Sequence, residues 1–227
     1  MRKLIGIILV GFVAAGFFVA LSDIPFGADR MKVADYYIEK GVAETGAVNI
    51  VTSVVVGYRA LDTLGEVTVL FVASLGLGAL LYAAKEIPGS KERASLVVRT
   101  GSRILFPLIL LFGAYIFVHG HLTPGGGFQG GAVIASAFLL QYLAFRSYRI
   151  DKQKFAAVES IGGSVFVVVG LLGLAMGGYF LNNFLGKGVP YSLFSAGVIP
   201  ILYVAIGLKV GAELAGIVAG LMESGRS

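Results

Sequence analysis

Six long apolar runs, at about 4–21, 67–84, 104–119, 130–145, 160–180 and 195–219, divide this chain, and they constrain its fold more than any motif does. A helix needs about 20 predominantly apolar residues to cross the hydrocarbon core of a bilayer. Each run meets that requirement alone or with its flanks. Only 14% of residues are charged and 57% are hydrophobic, with a mean hydropathy of +0.88. A soluble domain carries about 25% charged residues. The expected fold is therefore an all-α polytopic membrane protein with six transmembrane helices.

The first run, Leu4 to Leu21, follows a basic start and spans about 27 Å as a helix. Secretory leaders have shorter apolar regions, so this one reads as a retained span. The connections give orientation. Segment 85–103 holds Lys85, Lys91, Arg93, Arg99 and Arg103 against Glu86 and Glu92, and 146–154 holds Arg146, Arg149, Lys152 and Lys154 against Asp151. By contrast, 119–129 has no Lys or Arg, 181–193 has only Lys187, and 22–45 is mildly acidic. Six spans with both termini in the cytoplasm place each basic loop inside.

The stretch "GAVNIVTSVVVG", 46–57, is apolar but too short to cross. As a seventh span it would put either the N-terminus or the most basic loop on the wrong side. It is expected to be a short non-spanning helix that enters from the outer face and is buried against protein.

Composition narrows the chemistry. The chain has no cysteine, which excludes disulfides and thiolate chemistry, and two histidines do not make a metal site. No cofactor is expected. The net charge of +5 needs no nucleic-acid partner, because basic loops account for it. No nucleophile–base set and no nucleotide loop is present, so an enzyme is the weakest class.

Ionisable residues inside apolar runs are costly and point to function. Lys209 and Glu213 lie four apart in the last run, on one helical face, with Gly207, Gly211 and Gly216 leaving room for a neighbour. They read equally as a neutral pair locking two helices or as a relay in which Lys209 tunes the proton affinity of Glu213. Asp62 and Glu66 share a face at the head of the second span, after Arg59. Helix capping accounts for Asp62. It accounts less well for Glu66, which falls beyond the first turn. Glu159 begins the fifth span beside a basic loop and reads mainly as an interfacial, solvated group.

Between the third and fourth spans lies "HGHLTPGGGFQGG". Pro124 fixes its own backbone, while Gly125, Gly126 and Gly127 permit tight or left-handed turns. Phe128 and Gln129 complete a structural turn that suits a plug between helices, with backbone groups free to meet an ion. His119 and His121 lie two apart and would not share a helical face, so joint metal binding is not expected. One is expected to be buried and structural, the other to face a pathway. Packing is the favoured role of the turn, ahead of an outer gate or a subunit contact.

The stretch "FGAYIFVHGHLTPGGGFQGGAVIASAFLL", 112–140, resembles the signature of the B subunit of Mrp-type multisubunit Na+/H+ antiporters, a four-helix membrane protein. Residues from about 95 to 221, ending in "GLKVGAEL", match it in extent. The first half, "YYIEKGVAETGAVNIVTSVVVGYRALDTLGEVTVLFVASLG", is similar to the C-terminal region of the large A subunit. In archaeal membrane-bound hydrogenases and sulfane reductases that piece is a separate two-span subunit. The resemblance implies two domains, 1–88 with two spans and 89–227 with four. It implies membership in a complex with antiporter-like or complex-I-like subunits that handle Na+ and H+ in the cell membrane. The chain lacks the length of the pumping subunits, so it would supply a translocating or coupling module beside them. A purely structural scaffold is the alternative. A self-sufficient transporter is disfavoured because the two halves show no inverted repeat.

Overall fold

The structure, a computed structural model, describes residues 2–22, 32–83 and 94–224, and every regular element among them is a helix. The expected domain boundary at 88/89 lies outside the described residues, as do Lys85, Glu86, Lys91 and Glu92. Two compact units emerge, residues 1–35 and 36–227. In the first, α1 runs over Arg2–Ser22 without a charged residue after Lys3. The helix α2, Lys32–Thr45, begins in that unit and ends in the second.

The second unit continues with α3, Ile50–Thr52, which widens without a break into a π-type helix over Ser53–Tyr58. Then come α4 (Ala60–Ala83), α5 (Leu96–Val118), α6 (Gly127–Ala144), α7 (Lys152–Gly177) and α8 (Ile199–Ser224). Among the described residues, α1 and α4–α8 are the six helices long and apolar enough to cross a membrane.

The helices outrun the apolar runs where capping chemistry extends them. Ser95 accepts from the Val98 amide and starts α5 a turn before Arg99. Asp151 accepts from the amides of Gln153 and Lys154 and starts α7, while Gly178, left-handed at φ 82°, ends it. The guanidinium groups of Arg99 and Arg103 lie over the Phe145 ring, 5.9 and 5.4 Å from its centroid. At that end of α5 the cations are thus stabilised by an aromatic face.

The short helix near 46–57 is observed from Ile50 to Tyr58, bent by 88° from α2. Nine helical residues rise about 13 Å, less than half of the hydrocarbon core, so this piece is too short to cross by itself. Its polar side faces inward. The hydroxyls of Thr45 and Ser53 lie 2.8 Å apart, and Ser53 Oγ donates to the Ala47 carbonyl. The wide turn has a local cause as well: Thr63 Oγ1 donates to the Val55 carbonyl, and the Arg59 amide bonds back to Val54. At the corner, the Glu44 carboxylate accepts from Tyr58 and Tyr36, at 2.6 and 2.7 Å. Those two hydroxyls, Tyr58 first, hold its carboxyl below the ordinary carboxylate range.

The helix α8 is the hub, packed against α4, α5, α6 and α7. Small residues set the distance: a Cβ on Gly131 would fall 2.9 Å from the Gly207 carbonyl and from the Gly211 amide. Close helix approach in a membrane rests on such contacts, because apolar burial gives no advantage over lipid. Phe166, Leu202, Ile206 and Val210 fill the centre. At the far end of α8, Tyr142 is fully buried and donates to Glu223, which also pairs with Lys152 at 2.8 Å.

Candidate functional site

The i,i+4 spacing of Lys209 and Glu213 forms the expected contact. Lys209 Nζ donates to Glu213 Oε2 at 2.9 Å, and both residues are buried. A third group joins them from another helix. Glu159 is the eighth residue of α7, about 10 Å along the axis from its start, and its Oε1 lies 3.6 Å from Lys209 Nζ. Glu159 is therefore more than an interfacial, solvated group, which corrects the reading from sequence. Its register on α7 matches that of Lys209 on α8 because Gly162 and Gly163 lie beneath the lysine stem. Phe71 of α4 closes the other side, with the ammonium 5.1 Å from the ring centroid.

The cluster has two carboxylates and one ammonium, and Glu213 Oε1 is buried with no hydrogen-bond partner among the described residues. Leaving such an oxygen unsatisfied costs about 1–3 kcal/mol, more when it is charged. Two cavities meet here. One, about 510 Å³, is lined by Phe71, Glu159, Ser160, Gly163, Ser164 and Lys209. The other, about 250 Å³, runs past Lys152, Phe155, Glu159, Gly216 and Gly220 toward the basic loop. Glu159 borders both.

The remaining acids stand elsewhere. Asp62 is not the cap of α4 but lies in its first turn, paired with Arg59 at 2.6 Å, and both side chains are exposed. Glu66 is exposed on α4 and is not brought to the Lys209 cluster.

The glycine-rich turn is packed against α3 and α8. Its free carbonyls meet protein donors. Asn49 Nδ2 donates to the carbonyls of Gly120 and Thr123, at 2.8 and 2.9 Å, and its backbone amide donates to the His121 carbonyl. Thr52 Oγ1 donates to the Gly120 carbonyl at 2.6 Å and lies 2.7 Å from the Tyr203 hydroxyl. A Cβ on Gly120 would fall 2.7 Å from the Tyr203 ring, so close approach demands glycine there. Gly126 is extended, at φ 164° and ψ 177°, whereas Gly125, at φ 159°, holds a positive-φ conformation that favours glycine. Pro124 and Gln129 are exposed, and Phe128 packs against the core. Asn49, Thr52 and Tyr203 did not stand out in the sequence. The one legible signal was Asn49 as a helix cap, since its side chain also accepts from the Val51 amide.

The histidines part as their spacing implies. His119 ends α5, stacked on Tyr115 with ring centroids 4.3 Å apart. His121 is fully buried, neither ring nitrogen has a well-formed hydrogen bond among the described residues, and burial pushes its pKa down. Among the described residues no cluster of metal-ligating side chains occurs.

With that geometry established, known proteins give it context. Residues 97–216 match the family described as a domain related to the MnhB subunit of Na+/H+ antiporters, and residues 2–94 match the family MbhE of MBH. The chain is similar to an uncharacterised protein of Methanocaldococcus jannaschii, 35% identical over 86% of this chain and 87% of the relative. Among solved structures it is similar to a chain of the membrane-bound sulfane sulfur reductase, an archaeal respiratory membrane complex. That chain is 51% identical, with a TM-score of 0.76 over 97% of this chain and 98% of the other. It is also similar to a chain of the Mrp complex from Dietzia sp. DQ12-45-1b, at 29% identity and a TM-score of 0.73. There the match covers all of this chain but 26% of the other.

Proposed function

This chain belongs to the family of domains related to the MnhB subunit of Na+/H+ antiporters, carrying an MbhE domain before it, and from that premise we propose that it lines an ion path. The proposed setting is an Mrp-type cation/proton antiporter module, stand-alone or within a hydrogenase- or sulfane-reductase-like respiratory complex. Its partners are the other membrane subunits, and both termini lie in the cytoplasm. The chain is a non-catalytic subunit.

One observation carries this reading. Lys209 is held between Glu159 and Glu213, and Glu159 is shared by two cavities. A proton or Na+ passing the basic loop reaches Glu159 first. There it competes with the Lys209 ammonium for the Glu159 carboxylate, and the lysine keeps its closer pairing with Glu213. Three ionisable groups within a few ångströms exchange charge without moving a helix. Asp62 and Glu66 form a separate acidic entry on the exposed face of α4, for a neighbouring protein of the complex to cover.

The scaffold reading has its own observation, the Asn49–Thr52–Tyr203 clamp, which ties the first half to the second. Neutralising the cluster separates the two readings. Lys209→Gln with Glu213→Gln, in the assembled complex, is measured as Na+-dependent proton movement in inverted vesicles. The expected result is lost coupling with normal assembly. Full coupling in the double variant rejects the ion path and leaves the scaffold.

A further inference from the structure

We propose that the groove between α6, α7 and α8 seats a hydrocarbon chain of an anionic membrane lipid, with Lys154 holding its headgroup. The groove, about 210 Å³, is lined by Ile134 and Phe138 of α6, Phe155 and Val158 of α7, and Leu208 and Gly211 of α8, with Lys154 on its wall. It runs from the first turn of α7 to the middle of α8, so it extends from the interface into the bilayer. Nothing in its lining calls for a polar ligand below Lys154. An extended hydrocarbon chain fits that shape and that depth.

Charge selects the lipid class. The adjoining loop and helix start carry Arg146, Arg149, Lys152 and Lys154 against Asp151. Lys152 is bonded to Glu223 at 2.8 Å, and Arg149 lies 4.0 Å from the same carboxylate. Among the described residues Lys154 pairs only with Asp151, at 3.3 Å, and both side chains are largely exposed. Exposed pairs of this kind contribute little. Asp151 also caps α7 through the amides of Gln153 and Lys154, which leaves its carboxylate already shared. The Lys154 ammonium is thus available to a phosphate at the groove mouth, beside cations that add to the local field. A basic residue at an anionic surface is worth about fivefold in affinity.

The test uses the full chain purified in neutral detergent, with phosphatidylglycerol and phosphatidylcholine added in equal amounts and retained lipid read by native mass spectrometry. The expected wild-type result is phosphatidylglycerol retained about fivefold over phosphatidylcholine. Lys154→Gln removes that preference. Val158→Trp, which fills the groove, lowers retention of both lipids. Equal retention of the two lipids by the wild type overturns the proposal, as does a preference that survives both substitutions. In the assembled complex, loss of another protein rather than of lipid from Val158→Trp overturns it too, since a protein helix then occupies the groove.

Discussion

The Lys209 ammonium lies 3.6 Å from Glu159 Oε1, across the contact of α7 with α8 and 50 residues away in the chain. Within α8 the same ammonium is bonded to Glu213, and only the neighbouring helix supplies the second carboxylate. That arrangement converts an intrahelical pair into a site with excess acid, and it sets the first expectation.

Lys209→Met leaves Glu213 buried without its cation. Removing one partner of a buried ion pair costs about 3–5 kcal/mol, whereas replacing both partners by apolar residues is close to neutral. Thermal unfolding in detergent should therefore show a large drop for Lys209→Met and recovery of most of it in Lys209→Met with Glu213→Leu. Transport stays lost in both. A double variant no more stable than the single one contradicts the burial argument.

Glu66 is exposed on α4, and no ion pair or hydrogen bond of its side chain occurs among the described residues. Glu66→Gln should leave the stability of the purified chain within about 0.5 kcal/mol. In the assembled complex it should impair Na+-dependent proton movement. Unchanged coupling with normal assembly rejects a transport role for this residue.

The Thr52–Tyr203 contact joins residues 151 positions apart. Thr52→Val and Tyr203→Phe should each cost about 0.5–1.5 kcal/mol. In a double-mutant cycle their coupling should be about 1 kcal/mol. Gly120→Ala forces a methyl group into the Tyr203 ring and should cost about 1–3 kcal/mol. Additive losses in the cycle sink the idea that the clamp acts as a unit.

His121 gives a pH signature. Its folded pKa is depressed by burial, while in the unfolded chain it protonates near pH 6.5. Unfolding is then coupled to proton uptake below that pH. Its contribution to stability is fully present above about pH 6.5 and falls as pH drops toward the folded pKa. Melting temperatures from pH 8 to 5 should decline below 6.5, and His121→Phe should flatten that part of the curve.

The sequence by itself determined that this is an all-helical membrane protein with six runs long enough to cross and a short helix that is not, because long apolar runs can satisfy their backbone in lipid only as helices. It also determined the Lys209–Glu213 pair, since four residues make one helical turn. It did not reveal Glu159 as their partner, nor the service of the Gly120 and Thr123 carbonyls to Asn49 and Thr52. Those depend on the rotation and depth of one helix against another. Hydropathy is nearly uniform around α6, α7 and α8 and leaves that register unspecified. Small residues decide it, since the α6–α8 and α7–α8 backbones meet only where glycine lets them touch, and that fit exists only in three dimensions.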